Sequence, residues 1–505
     1  MNKIKSYILI GLSMFTLTSC NDWLDITPET EVRQDDLFTS YKGYKEALAG
    51  CYTSMASRDL YGEKLTMSDI ECLANLWNTP SQSYNPNLYA LHYHDYEDEY
   101  ARKDIKAIYG GLYNVIVQAN DIINHITANP TSINGEQQRN IVEAEARAIR
   151  AFCHFDVLRL FGQMPKDAKK TVSLPYSETA DIYTQPPYYG FSDFAKKVIN
   201  DLDIAEEKLA KSDPIMEYSY KELEGKGETS ADKLVDDDFL IYRRNRFNYW
   251  AVRALKARVY LYIGDNAKAY SEAKAVIDAQ LNGKKVIEMS SKGDYENNCF
   301  ATPSECLFAL QNNDLIDYSI TVLGGKASAN VYTDRQLYLT SNNFEKKLFA
   351  GANTTSDVRY LNLWERNTKS STGTKYPTIK KYYYSINDND LTLSLRTSLQ
   401  IMPLLRLSEM YLIAMETTNS LAEGNSLYKT FMAARNVNVT TDFESQEALL
   451  DEVTTEFRRE FYVEGQMFYY YKRKAEESMM FSWEKMGEDQ YVVPLPDTEF
   501  NPEGK

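Results

Sequence analysis

Apolar residues recur every three to four positions in several long segments, the spacing that lays one stripe along an α-helix. Over 139–161, RNIVEAEARAIRAFCHFDVLRLF, the stripe holds Ile141, Ala144, Ala148, Phe152, Phe155 and Leu158, and Gly162 supplies a stop. The alanines let a neighbouring helix approach closely, while the phenylalanines fill the groove beyond. Just before it, DIKAIYGGLYNVIVQANDIINHI predicts a partner helix running to about Ile126, ahead of Asn129-Pro130, so the two form a helical hairpin. A second hairpin is predicted over 248–281. Trp250, Ala254, Ala257 and Leu261 share its first face, Gly264-Asp265 makes the turn, and Ala269, Ala273 and Val276 continue the pattern. A third is predicted over 404–436, and one final helix over about 446–476.

Ala257, Tyr260, Gly264 and Ala269 stand at spacings similar to those of tetratricopeptide units, whose small residues let paired helices touch. Such hairpins bury their apolar faces only by stacking. The predicted fold class is therefore mostly α: tetratricopeptide-like helical hairpins forming a scaffold, with long loop-rich excursions and a few short strands. The excursions lack periodicity. Residues 72–100 are rich in Asn, Pro and Tyr, and 167–190 include TQPPYYG. Residues 212–246 are heavily charged and expected to be partly mobile. Residues 284–400 hold strand-like pieces: LFALQ, SITVLGG, QLYLT and YPTIKKYYY. Long loops on a rigid scaffold are where binding groups concentrate.

The first residues follow a different pattern. Lys3 and Lys5 precede an apolar run through Ile8-Leu9-Ile10-Gly11-Leu12, which ends in Leu17-Thr18-Ser19-Cys20. A basic start, a short apolar core and small residues before a cut are the parts of a secretory signal. The run is too short for a membrane span, which takes about 20 apolar residues. Leu17 to Cys20 has the form of a lipobox, as in bacterial lipoproteins, in which the cysteine is acylated and becomes the new N-terminus. Cys20 is the expected lipidation site, and lipid chains hold a protein on a membrane through their buried methylenes. The expected organisation is a signal over 1–19 and a single body over 20–505. Within that body, 20–215 forms an N-terminal part and 247–505 a C-terminal part with the excursion 284–400. No later segment is apolar for long enough to cross a bilayer.

Composition narrows the partners. The formal charge is −16, and loss of Lys3 and Lys5 with the signal takes it to −18. Lysines and arginines are dispersed, without a basic stripe, which argues against nucleic acid. Cys51, Cys72, Cys153, Cys299 and Cys306 read as buried small apolar residues, with a Cys299–Cys306 bridge left open. Tyrosine is abundant, 39 against 5 tryptophans, which suits ligand-gripping surfaces and plain helix packing alike.

Candidate chemistry is sparse. There is no G-x-S-x-G elbow, P-loop or G-x-G-x-x-G fingerprint, and the four histidines sit in no evident Ser or Cys constellation. His92 and His94 beside Asp95 lack a third ligand, and they read as surface polar residues rather than a metal site. INDND, 386–390, leaves a structural calcium open but does not match an EF-hand loop, and no other cofactor is expected. Carboxylates are plentiful, and a glycosidase pair is decided by separation in space. Arg458, Arg459, Glu460 and Glu464, like Arg406 and Glu409, read as helix ion pairs at spacings of three and four.

Seven pieces, in order, resemble the SusD/RagB family of Bacteroidetes surface lipoproteins. They are SCNDWLDITPE, YNVIVQANDII, EAEARAIRAFCHFDVLRLFGQMP, the 248–281 hairpin, LLRLSEMYLIAMET, EFRREFYVEGQMFYYYKR and VVPLPDTEFNPE. Phe457 replaces an arginine common in that family, and Tyr469 an aspartate. The resemblance implies four tetratricopeptide-like hairpins with a loop-rich ligand face, and no catalytic activity. It further implies a lipid-anchored, surface-exposed place on the outer membrane, as a lid on a SusC-like TonB-dependent β-barrel. The cargo it implies is an oligosaccharide or, in some branches, an oligopeptide. A surface glycosidase or peptidase and a purely structural adaptor are the alternatives. A sugar ring needs aromatic faces for stacking and polar groups for its hydroxyls. The ligand-binding candidates are thus Trp77, Asn78, Tyr89, Tyr93, Asp95 and Tyr96 in the first excursion, and Asn312, Tyr318, Tyr332 and Arg335 in the middle one.

Overall fold

The computed structural model describes residues 37–500 apart from 182, 228, 329–330, 334–335, 370–374 and 383–399. Cys20, Arg335 and the 386–390 stretch lie outside the described residues, and of Tyr332 only the backbone, in the strand Val331–Thr333, is described.

The predicted helices form where the stripes place them. Glu99–Ala128 begins at Asp98, whose carboxylate accepts from the N–H groups of Tyr100 and Ala101, and it packs along Glu136–Phe161. The stripe alanines Ala144 and Ala148 are fully buried between neighbours. Glu136–Phe161 also packs on Phe191–Ser212, which in turn meets Tyr249–Tyr262. A tight turn at Gly264, with φ +85°, returns the chain as Asn266–Ile277. That left-handed value is one glycine adopts freely. Asn266–Ile277 leans on Leu407–Thr417, which pairs with Leu421–Ala434, and Gln446–Glu460 covers both. The molecule is mostly helical, a row of stacked helices around one contiguous apolar core.

Strands are confined to two-stranded ribbons among the described residues. Cys306–Gln311, the predicted LFALQ piece, pairs antiparallel with Ile401–Arg406, with register shifts between Pro403 and Leu405 and between Leu405 and Arg406. The third predicted hairpin therefore starts at Leu407, because its first residues belong to this ribbon. Of YPTIKKYYY, the first four residues, Tyr376 to Ile379, belong to the strand Lys375–Ile379. SITVLGG does not form a strand: Leu315–Leu323 is a helix that buries Leu315, Ser319, Val322 and Leu323 at helical spacing, so packing overrides the β-branched residues. QLYLT takes no regular structure. The single final helix is two, Gln446–Glu460 and Met467–Lys474, broken where Val463 and Gly465 take φ of +60° and +70°.

Two excursions are more built than expected. Residues 72–100 hold the end of the short helix Asp69–Leu73 and the whole helix Pro86–His92, and they bury Leu76, Trp77, Leu88 and Leu91. Residues 212–246 are a string of short helical turns rather than a loose charged loop. Arg243, fully buried, ties them down through Asp213 at 2.9 Å and Glu145 at 2.5 Å. Cys299 and Cys306 are not bridged; Cys306 is buried, with its thiol toward the carbonyls of Ala301 and Thr302.

Candidate functional site

Pro86 opens the Pro86–His92 helix at a position where its missing N–H costs nothing. Tyr89 and Tyr93, four residues apart, fall on one side, with ring centroids 4.8 Å apart and planes at 54°. The Tyr93 N–H still donates to the carbonyls of Tyr89 and Ala90, and His94, at φ +54°, turns the chain away immediately afterwards. The Tyr93 ring then meets Trp483 edge-on at 5.4 Å and 62°. Trp483 is 51% exposed, and Tyr84, on the same connection as Tyr89, is 87% exposed.

The segment carrying Trp483 is held from both sides. Met479 and Met486 are buried, the Met486 N–H donates to the Glu477 carbonyl at 3.0 Å, and the Lys347 ammonium lies over Phe481 at 4.7 Å. Beneath the platform sits His92, buried, with its ring edge-on to Tyr93 at 5.1 Å and Nε2 at 3.3 Å from the Thr79 hydroxyl. Burial pulls its pKa down to about 4, so the imidazole is neutral at pH 7. His94 is likewise pulled down to about 4 by burial, with Nε2 at 2.9 Å from the Leu73 carbonyl. Both are interior residues, correcting the expectation of surface polar groups.

The other candidates scatter. Trp77 is only 2% exposed and sits edge-on to Tyr462 at 4.9 Å, and Trp364 also meets that tyrosine edge-on at 5.3 Å. Its ring is a core ring and is not open to a ligand. Asn78 stitches two excursions together: its N–H donates to the Tyr338 carbonyl at 3.0 Å, and its Oδ1 accepts from the Thr340 N–H at 2.8 Å. Asp95 is exposed and accepts from the Glu97 N–H at 3.3 Å. Tyr96 turns away from the platform, its hydroxyl donating to the Gln490 carbonyl.

Asn312 and Tyr318 form a separate locality at the 56–58 turn. The Asn312 amide donates to the Ala56 carbonyl at 2.8 Å, and Arg58 lies 5.5 Å over the half-buried Tyr318 ring. Tyr89 and Tyr93 are thus the predicted residues that the fold brings together, and Asp95 follows two residues later in the chain. Trp483 is the residue sequence reasoning missed. Its signal was an isolated tryptophan in a non-periodic stretch, SMMFSWEKMG, just after the last amphipathic segment.

The charged candidates are structural, though their partners are distant rather than helical neighbours. Arg406 reaches Glu460 at 2.8 Å and Glu464 at 2.9 Å and also pairs with Glu305, and Arg435 reaches Glu460 at 2.7 Å. Arg258 pairs with Glu409 at 2.6 Å, and only Arg459–Glu456, at 2.6 Å, keeps a spacing of three. Burial disfavours the Glu460 charge, yet the Arg435 and Arg406 guanidiniums hold its carboxyl well below the usual range. A cavity of about 850 Å³ lies elsewhere, beside Tyr220 and Arg244. Its charges are largely paired with one another, as Lys221 is with Glu288 at 3.0 Å and Arg244 with Glu224 at 3.0 Å. It contains none of the candidate residues.

Comparison with known proteins adds the following. Residues 255–504 match a family model described as the SusD family, and residues 22–261 match one described as "Starch-binding associating with outer membrane". SusD-like protein P2 of Formosa agariphila is 24% identical over 343 residues, 65% of this chain and 58% of that protein. SusD-like protein P25 of the same organism is 25% identical over 167 residues, 32% of this chain and 31% of that protein. The chain thus spans less than two thirds of the length of either relative. A crystal structure of a SusD superfamily protein from Bacteroides thetaiotaomicron superposes with a TM-score of 0.67 at 20% identity, covering 92% of this chain and 98% of that one. Another structure, described with xylogluco-oligosaccharide, superposes with a TM-score of 0.60 at 19% identity, covering 91% and 84%. At these identities the likeness is one of fold.

Proposed function

The chain belongs to the SusD family, and from that premise we propose that it is a surface-exposed, lipid-anchored nutrient-binding protein that captures oligosaccharides on the outer membrane and passes them, as a lid, to a TonB-dependent β-barrel transporter. The observation that carries the reading is the ring cluster of Tyr89, Tyr93 and Trp483, in which the two tyrosines are half-buried and the tryptophan is exposed. The C–H face of a sugar stacks on such rings, while the exposed carboxylate of Asp95, two residues after Tyr93, offers an acceptor for hydroxyls. Stacking is worth roughly 1 kcal/mol per ring, so each contact is modest and the cargo can be released. The lipobox ending at Cys20 and the family's description as associating with the outer membrane support the location. Capture is proposed to proceed without turnover, since membership of a binding family supports a holding role.

The test is calorimetric titration of the mature chain with malto- and xylogluco-oligosaccharides, alongside a tryptic peptide mixture. Micromolar to millimolar glycan binding is expected, weakened roughly five- to tenfold by Trp483→Ala, with no shortening of the glycan on chromatography. Binding of the peptides and none of the glycans would replace the oligosaccharide reading. Pull-down from detergent-solubilised outer membrane should recover a large β-barrel; its absence removes the delivery step.

A further inference from the structure

The platform is assembled from two chain segments whose charges are lopsided. Residues 93–100 bring Asp95, Glu97, Asp98 and Glu99 with no lysine or arginine. Residues 476–489 bring five more carboxylates against a single ammonium, Lys485. Cations from neighbouring segments meet two of these nine carboxylates, Arg102 at 3.9 Å from Glu97 and Lys170 at 2.6 Å from Asp489. The Lys485 ammonium is engaged by Glu477 at 2.7 Å. Lys347, which reaches the same segment, is occupied over the Phe481 ring and donates to the Met480 carbonyl at 3.2 Å. Asp95 and Glu484, the carboxylates that directly flank the rings in the chain, have no cation partner among the described residues. Asp95 accepts only a backbone N–H at 3.3 Å, and Glu484 accepts from the Gln490 amide at 2.9 Å. His92 beneath Tyr93 is buried against Thr79 and brings no compensating charge.

We propose that this rim makes the platform selective for uncharged oligosaccharides, rejecting glycans that carry carboxylate or sulfate groups. The inference rests on the platform being the carbohydrate site. Two unit charges about 6 Å apart in water repel by somewhat more than thermal energy, roughly a threefold effect on affinity for each close pair. A glycan segment bearing several anionic groups over the rings meets several such pairs, and the penalties multiply. Stacking offers no compensation, because the electron-rich ring faces are themselves unfavourable to anions. Salt weakens the effect, since the Debye length shrinks from about 30 Å at 0.01 M to about 3 Å at 1 M.

The experiment titrates the mature full chain with malto- and xylogluco-oligosaccharides and with the malto-oligosaccharides oxidised at C6 to uronates, in low and high salt. The expected result is at least tenfold weaker binding of the oxidised chains at low salt, with most of the deficit gone in about 0.5 M salt. A double variant, Asp95→Asn with Glu484→Gln, should narrow the neutral-to-oxidised ratio several-fold, which a mere effect of the chain's overall negative charge would leave nearly as it was. Equal or tighter binding of the oxidised chains overturns the selectivity while leaving carbohydrate capture standing. Failure of every neutral and oxidised chain to bind overturns the capture reading, and the selectivity falls with it.

Discussion

His154 shows how fully one interior residue can be specified. Its Nδ1 donates to the Arg150 carbonyl at 3.0 Å, its Nε2 accepts from the Ser177 N–H at 3.0 Å, and its ring stacks on Tyr176 at 3.8 Å. A proton added at Nε2 would face an N–H, and burial pulls the pKa down to about 3. With His92 and His94 pulled down to about 4, all three have folded values below the roughly 6.5 of an unfolded histidine. As pH falls, the unfolded chain takes up protons first. Stability is therefore complete above about pH 6.5 and is lost toward pH 3, at roughly 1.4 kcal/mol per pH unit for each histidine titrating. Urea unfolding between pH 7 and pH 4.5 should show this slope, and His154→Gln should flatten it. The tryptophans make the complementary point. Trp77→Ala is expected to cost about 3–5 kcal/mol of stability, whereas Trp483→Ala should leave unfolding within about 0.5 kcal/mol of the parent while weakening glycan binding. Thermal melts and titrations on the two variants separate these roles.

At the scale of elements, the periodic helices were legible because their signal is local. The Glu136–Phe161 helix ends at Gly162 as its pattern demands, and the 248–281 hairpin turns at Gly264. What misled was the break near residue 463, where the apolar period runs on but the backbone does not. There Glu71 accepts the N–H groups of Val463 and Gly465, each at 3.0 Å, so a residue on the short Asp69–Leu73 helix, just ahead of the first excursion, holds the turn between two C-terminal helices. A Cβ on Gly465 would lie 2.0 Å from the Leu65 carbonyl oxygen, in a left-handed backbone of φ +70°. Gly465→Ala should cost roughly 2–4 kcal/mol, read as a lower melting temperature. Gly264→Ala, with nothing within 4 Å of its added Cβ, should cost only about 1 kcal/mol.

For the whole molecule, the buried charges tie distant parts together. Glu460 is shared by Arg359 at 3.2 Å, Arg406 at 2.8 Å and Arg435 at 2.7 Å, groups from three separate parts of the chain. Removing one member leaves unmatched charge in a dry interior, so Glu460→Gln should cost about 3–5 kcal/mol, measured by urea titration. The sequence read by itself determined the stacked helical hairpins, the acidic balance and the lipobox, because these depend on spacing and composition within short windows. It named Tyr89 and Tyr93, whose four-residue spacing already places them together. Only the tertiary structure decided which rings face outward: Tyr462 covers Trp77, and Trp483 arrives beside Tyr93, each from nearly the opposite end of the chain. Exposure is set by whatever packs on a residue, and that neighbour is chosen by the fold rather than by the residues next to it in sequence.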